Sequence, residues 1–365
     1  LRSRLGEDRG SGHEAAQGDG EPEVKKRRLL CEEFASVARC DEAVAQCYLA
    51  ENEWEVEKAL NSFFEPSAEE DALDAIICKA IFHSDLASVD LTNEDTTDST
   101  SSKSNSLEST EIEDKTMFSF ITWNIDGLDI NNLQERARGV CSYLALYCPD
   151  VVFLQEVIPP YYCYLKKRAT SYEIIPGRED GYFTAIMLRK ARAKLKSYEI
   201  IPFPNTKMMR NILCAHVSMS GSDFYLMTSH LESTKEHSKE RMSQLKMVFK
   251  KMQEAPEEAT VVFGGDTNLR DQEVTKYGGL PDNIMDAWEF LGKPKHCQYT
   301  WDTQMNSNLG IPGVCKLRFD RIFFRTAAEN PIIPRSFDLL GMEKLDCGKY
   351  PSDHWGVLCY LDKIF

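Results

Sequence analysis

No apolar run in this chain approaches the ~20 residues that a membrane-crossing helix needs, so no membrane partner is expected. The opening residues are rich in Gly, Glu and Arg, which is not the pattern of a secretory signal. None of the twelve cysteines stands in a C-x-x-C pair, and no His/Cys cluster has zinc spacing. Cys141, Cys148, Cys214 and Cys359 lie inside apolar runs and read as buried reduced thiols, which points to the nucleus or the cytosol. There is no G-x-x-x-x-G-K-[ST] loop and no G-x-S-x-G elbow, so neither nucleotide-driven phosphate transfer nor serine hydrolysis is indicated.

The net charge of −15 is unevenly placed. Residues 1–116 hold 28 acidic and 12 basic side chains, whereas residues 117–365 are nearly balanced at 30 and 31. The acidity therefore belongs to the N-terminal third, and the rest can bind polyanions wherever its bases cluster. Residues 1–28 read as a disordered tail ending in Lys25-Lys26-Arg27-Arg28, which is either a nuclear import signal or a solvated charge cluster before a helix. Residues 29–65 read as three short helices. Leu29, Leu30, Phe34 and Val37 lie at helical spacing, Asp41 is a cap candidate, and Trp54, Val56, Leu60, Phe63 and Phe64 form a third stripe. The segment from Phe34 to Phe64 resembles ubiquitin-associated (UBA-like) domains, and the resemblance implies ubiquitin as a partner.

Residues 66–116 read as an acidic, Ser/Thr-rich linker with two islands. Leu73, Ile76, Ile77, Ala80 and Ile81 share one helical face and have no assigned role. Val89-Asp90-Leu91-Thr92, followed by Glu94 and Asp95, resembles a SUMO-interacting motif, which would add a strand to a sheet edge.

From Met117 onward, apolar runs of strand length recur at 118–122, 151–154, 183–188, 224–228, 261–263, 321–324 and 356–360. Amphipathic stretches at 133–147 and 239–253 read as helices between them. The expected architecture is an α/β sandwich of two sheets with helices outside, preceded by the small helical domain. Polar fragments sit at the strand ends. Trp123-Asn124-Ile125-Asp126-Gly127-Leu128 follows the first run, and Gln155-Glu156-Val157 the second. Ser229-His230-Leu231-Glu232-Ser233 and Gly264-Gly265-Asp266-Thr267-Asn268-Leu269-Arg270 follow two later ones, and Arg318-Phe319-Asp320-Arg321 and Ser352-Asp353-His354-Trp355 come near the end. A lone Asp after a strand is usually a turn former, but six such fragments together describe a site built on loop ends. Their carboxylates suit Mg²⁺, a hard cation, with Mn²⁺ as a substitute.

The ordered set WNIDGL, LQEV, TSHLES, GDTN, RFDRI and SDHWG resembles the endonuclease/exonuclease/phosphatase superfamily, which includes abasic-site endonucleases and deoxyribonuclease I. PPYYCYLKKR, EDGYFTAIML and QYTWDTQMNSNLG narrow the resemblance to the 5′-tyrosyl-DNA phosphodiesterase branch. The resemblance implies a catalytic domain over 117–365. It implies Asp126, Glu156 and Asp353 around Mg²⁺, Asp266 orienting or deprotonating water, and Asn124, Asn268, His230 and His354 on the phosphoryl group. Asp320 would orient His354. Arg210, Lys235 and Arg270 would hold strand phosphates, and Tyr182, Trp301, Leu309 and Phe319 would line the DNA-end groove. Ile125, Gly127, Leu128, Ser233 and Leu269, within the same motifs, complete the implied substrate contacts. The implied substrate is a DNA 5′ end linked to a topoisomerase tyrosine remnant, released as a 5′-phosphate, with RNA–protein links also open. Abasic endonucleases, inositol-phosphate phosphatases and RNA deadenylases share the core, and fold does not choose among them. An adaptor role for the N-terminal third is the reading from a different class.

Overall fold

The computed structural model describes residues 20–38, 42–64, 116–276 and 278–364. Three helices come first: α1 (Gly20–Ala38), α2 (Glu42–Glu51) and α3 (Val56–Phe64). Cys31, Phe34, Ala45, Leu49 and Ala59 form their small core. Two expectations are corrected here. The first helix begins at Gly20, so the basic run lies within it rather than ahead of it. Leu29 and Val37 are 59% and 55% exposed, so the inward stripe is Leu30, Cys31 and Phe34 instead. Asp41 and the islands at 73–81 and 89–92 lie outside the described residues.

The second part is a two-sheet sandwich. One sheet has the order β13 (Ile332–Leu340), β14 (Gly356–Lys363), β1 (Met117–Asn124), β2 (Val151–Val157), β4 (Phe183–Arg189), β3 (Tyr172–Pro176). The other has the order β5 (Ala193–Pro202), β6 (Asn211–Met219), β7 (Ser222–His230), β8 (Thr260–Asp266), β12 (Asp320–Arg325), β9 (Met285–Asp286), and β10 (Trp301–Asp302) pairs with β11 (Lys316–Leu317) in a separate two-stranded ribbon. Phe118, Phe120 and Phe153 from the first sheet meet Phe224, Leu226 and Ile322 from the second in one core. Outside, α4 (Leu133–Tyr147) and α5 (Pro159–Arg168) cover Trp123, Val152 and Leu154. Helix α6 (Ser238–Glu254) covers Met227, Val261 and Phe263 with Met242, Leu245 and Val248. The central strands are buried on both faces, which is why they read as continuous apolar runs rather than alternating ones.

Each sheet has one parallel pair at its centre, β1 with β2 and β7 with β8. Parallel neighbours need a crossover, and α4 and α6 lie between them in sequence. Parallel strands also end together. Asn124 is therefore beside Gln155, and His230 beside Asp266. Antiparallel pairing of β12 with β8 sets Asp320 opposite Asp266, and β14 against β1 brings the Ser352–His354 stretch to the same end. Gln155 Nε2 donates to Thr122 Oγ1 of its own sheet at 3.3 Å and across the sandwich to Thr228 Oγ1 at 3.1 Å, tying the two sheets together beneath that end.

Candidate active site

Asn124 is the hub. Its Nδ2 donates to Asp266 Oδ2 at 3.0 Å, and its Oδ1 accepts the Asp126 N–H at 3.0 Å. Its carbonyl accepts Ser352 Oγ at 2.6 Å, and the same Ser352 oxygen accepts the His354 N–H at 3.1 Å. One asparagine thus links three of the six motif fragments.

Asp126 and Glu156 both occupy left-handed backbone, at φ 49° and 60°. For non-glycine residues that conformation is uncommon and clusters at functional sites. At Glu156 the cause is local: the pairing of β2 with β4 slips between Leu154 and Val157, and the irregularity turns the carboxylate out of the ladder. Gly127 approaches Glu156 so closely that a Cβ there would lie 2.1 Å from the Glu156 carbonyl oxygen, so no larger residue fits without movement. Burial, and then the charge of Asp353, pushes the Asp126 carboxyl up to about 8; Arg136 pulls the other way and Glu156 adds to the rise. Asp126 thus feels two further carboxylates, Asp353 and Glu156, a donor set that a hard divalent cation fits, since it would neutralise them together.

Asp266 and its neighbours form a second cluster. Oδ2 of Asp266 lies 3.2 Å from His230 Nε2 and 3.8 Å from His354 Nε2, and Oδ1 accepts the Asn268 N–H at 3.0 Å. Burial would raise this carboxyl, but His230, His354 and Asn124 outweigh it and hold Asp266 below the usual carboxylate range. His230 Nδ1 is buried without a hydrogen-bond partner and faces Glu156 Oε1 at 3.8 Å. His354 Nδ1 lies 2.8 Å from Asp320 Oδ2. Burial opposes charge on His354, but Asp320, Asp353 and Asp266 outweigh it and raise its pKa well above the usual value, which favours the imidazolium. Ligand atoms of Asp266, Asp320 and His354 all lie within 4.8 Å of one another. His354 is already hydrogen-bonded to Asp320 and faces Asp266 at 3.8 Å with its other nitrogen, so the imidazole is committed to these two carboxylates, and the oxygen-only set around Asp126 is the better cation site.

The implied contact residues divide by exposure. Arg210 lies 4.9 Å over the Tyr182 ring, and Tyr182 OH donates to the Met208 carbonyl at 3.0 Å. Trp301 Nε1 donates to Asp353 Oδ2 at 3.1 Å, and its ring is 5.6 Å from that of Phe319. Phe319 is buried between Trp301 and His354, with Arg270 5.3 Å over its ring. Leu128 and Leu309 are 52% and 44% exposed, and Lys235 is exposed. Ile125 and Leu269 are wholly buried and belong to the cores beneath the site end of the strands.

Several residues that shape the site were not singled out as site residues in the sequence. Arg136 is wholly buried and donates to Asp126 Oδ2, the Asp126 carbonyl and the Pro351 carbonyl at 3.3, 2.9 and 3.3 Å. Glu232 is wholly buried, and Arg241 is too. Both arginines sit on largely apolar helix faces, four residues before Val140 and Leu245 respectively. That misplaced charge is the sequence signal that could have found them.

The Endonuclease/Exonuclease/phosphatase family profile matches residues 121–354, and a UBA-like domain profile matches 29–69. The chain is 72% identical to human tyrosyl-DNA phosphodiesterase 2 over 354 residues, 97% of each chain. The structure of D. rerio TDP2 complexed with single strand DNA product superposes with a TM-score of 0.67 at 60% identity, covering 68% of this chain and 99% of that one. TDP2 from C. elegans superposes at 0.63 with 29% identity, covering 99% of this chain and all of the other. The chain is a phosphoric diester hydrolase that belongs to the endonuclease/exonuclease/phosphatase family, on its tyrosyl-DNA phosphodiesterase 2 branch, with a UBA-like domain ahead of the enzyme.

Proposed function

We propose that this enzyme hydrolyses the phosphodiester between a topoisomerase tyrosine and a DNA 5′ end, with Mg²⁺ as its cofactor. The observation that carries the reading is that Asn124 links Asp126, whose carboxyl feels Asp353 and Glu156, to Asp266 and the His–Asp network around it. Asp126, Glu156 and Asp353 would hold the cation, with Mn²⁺ a substitute. When bound, it polarises a phosphoryl oxygen and neutralises developing charge.

The protein's own groups do the rest. Asp266, kept ionised by two histidines and Asn124, orients the attacking water or accepts its proton. Asn124 and Asn268 hold water and phosphate in line. His354, charged and fixed by Asp320, and His230 donate to the phosphoryl oxygens. The water oxygen bonds to phosphorus, the bond from phosphorus to the tyrosyl oxygen breaks, and a free tyrosine side chain and a 5′-phosphate remain. A phenol of pKa ~10 leaves with little help from a general acid. Arg210, Ser233, Lys235 and Arg270 grip the strand's phosphates. Tyr182, Trp301 and Leu309 offer surfaces for bases, with Phe319 supporting Trp301. The backbones at Ile125, Gly127 and Leu269 and the exposed Leu128 border the same end.

RNA–protein links carry the same phosphotyrosyl chemistry. We read residues 29–65 as the ubiquitin-facing unit, 89–92 as a SUMO-facing one, 117–365 as the enzyme, and the nucleus as the place of work. Turnover of a 5′-tyrosyl oligonucleotide with and without Mg²⁺ tests the central reading. Turnover undiminished by a chelator, or none with the metal present, would overturn it.

A further inference from the structure

Helix α6 turns two polar side chains, Arg241 and Gln244, into the protein, and neither sees solvent. Arg241 Nη1 donates to the carbonyls of Glu232 at 2.8 Å and Thr234 at 2.7 Å, the residues on either side of Ser233. Ser233 Oγ in turn lies 3.1 Å from Arg210 Nη2 and 3.3 Å from Asn268 Nδ2. The other edge of the Arg241 guanidinium meets Glu273, at 3.2 Å through Nε and 2.5 Å through Nη2. That carboxylate also accepts the Arg270 N–H at 2.9 Å. Gln244 accepts the Glu232 N–H at 2.8 Å and donates to Glu232 Oε2 at 2.9 Å. The Glu232 carboxylate then takes Thr206 Oγ1 at 2.9 Å and the Lys207 N–H at 2.7 Å, and Thr206 Oγ1 accepts the Arg210 N–H at 3.0 Å.

We propose that Arg241 and Gln244 are positioning residues that set the spacing of Arg210, Ser233 and Arg270, and so preorganise the grip on successive phosphates of the strand. The proposal rests on the reading that these three residues meet DNA. They come from three separate loops, and each loop left to itself would have to be ordered when the strand binds. A planar guanidinium is suited to the task, because it fixes two peptide carbonyls and a carboxylate in one plane. Stability alone would not call for it, since buried ion pairs are commonly replaceable by well-packed apolar side chains.

The test uses the full chain and the variants Gln244→Ala, Glu273→Gln and Arg241→Lys. Steady-state constants are measured on 5′-tyrosyl oligonucleotides of one, four and eight nucleotides, and on thymidine 5′-nitrophenyl phosphate. Fluorescence anisotropy gives the affinity for 5′-phosphorylated oligonucleotides of the same lengths at two salt concentrations. The expected result is a KM raised about tenfold at eight nucleotides and less than about twofold on the nitrophenyl ester, with kcat within about twofold throughout. Affinity should weaken in parallel, with a shallower dependence on salt. A proportionate loss on all lengths, as from a smaller folded fraction, would overturn the proposal, as would an unchanged KM at eight nucleotides. If Arg241→Lys does not fold, the other two variants carry the test. Wild-type protein inactive on every tyrosyl substrate would sink the parent reading, and anisotropy against length would still judge the positioning role.

Discussion

His354 Nδ1 and Asp320 Oδ2 are 2.8 Å apart, and both side chains are shut away from solvent. Asp320 opens a strand of one sheet and His354 stands two residues before a strand of the other, so the pair closes the site end of the sandwich as well as fixing the imidazole. Trp123 Nε1 holds the His354 carbonyl from below at 3.0 Å. Asp320→Asn keeps the shape and one acceptor but removes the charge that favours the imidazolium. Expected is a fall in kcat of about 10²–10⁴-fold with KM little changed. The circular dichroism spectrum should stay that of the wild type. Turnover within threefold of wild type would show that the pair is only structural.

The carboxylate trio makes a different prediction. Glu156→Gln removes one negative charge from the set around Asp126 and keeps its volume. Wild-type protein at a hundredfold excess of Mg²⁺ over its Kd should gain about 2.7 kcal/mol against unfolding. The variant should gain a small fraction of that, and its kcat should fall by orders of magnitude. Thermal melts with and without metal read the first effect, independently of activity. An equal metal-induced shift in both proteins would remove Glu156 from the site.

The strand-end motifs were legible in the sequence because each is a polar break after an apolar run, and the register of two parallel pairs brings them together. The runs themselves were found where strands are buried on both faces. Strands β3, β5 and β13 escaped at sheet edges, where exposed polar residues break the apolar run, as in Ala193–Pro202; β6 escaped too although it is an inner, largely buried strand, because Asn211, His216 and Ser218 interrupt it. The inward side of the first helix was misjudged at Leu29 and Val37, since helical spacing alone does not say which apolar stripe faces the neighbours. Arg136, Arg241 and Gln244 were invisible as chemistry, and Glu232 stood in a motif without a role, because their partners are mostly backbone carbonyls, N–H groups and residues far away in sequence.

Glu232 gives a prediction in pH. Burial would raise its carboxyl, but hydrogen bonds from Gln244, the Lys207 N–H and Thr206 outweigh that and set it below its ordinary value. The folded state therefore binds this proton less tightly than the unfolded state, whose value is ~4.3. The stabilisation is complete above that value and is lost as pH falls through the lower, folded one. Glu232→Gln should be less stable than wild type near neutrality, and the gap should narrow as the pH approaches 3. Urea unfolding at several pH values between 7 and 3 measures it. Parallel acid limbs in the two proteins would show that Glu232 does not carry this linkage.

Trp301 joins the metal set to the DNA-end groove, because one face of its ring adjoins Phe319 while its N–H holds Asp353. Trp301→Ala therefore removes two things, and Trp301→Phe separates them by keeping a stacking surface and losing the hydrogen bond. Base stacking is worth roughly 1–3 kcal/mol. Trp301→Ala and Tyr182→Ala should therefore lower kcat/KM on a 5′-tyrosyl oligonucleotide by about 5–150-fold. They should lower it less on thymidine 5′-nitrophenyl phosphate, which has fewer bases to stack. Trp301→Phe should recover most of the oligonucleotide loss and show its defect as a weaker apparent affinity for Mg²⁺, through a freed Asp353. An abasic endonuclease must instead hold a bent duplex on both sides of its cut, which calls for a broad basic surface. Residues 117–365 carry 31 basic against 30 acidic side chains, which gives little support for one. Wild-type enzyme should accordingly prefer a 5′-phosphotyrosine over a 3′-phosphotyrosine, an internal abasic site or an inositol phosphate. The comparison is made as kcat/KM at one salt concentration, because phosphate contacts make affinity salt-dependent. Cleavage at an internal abasic site as fast as at the 5′-tyrosyl end would reverse the substrate assignment and leave the carboxylate and histidine clusters serving an endonuclease.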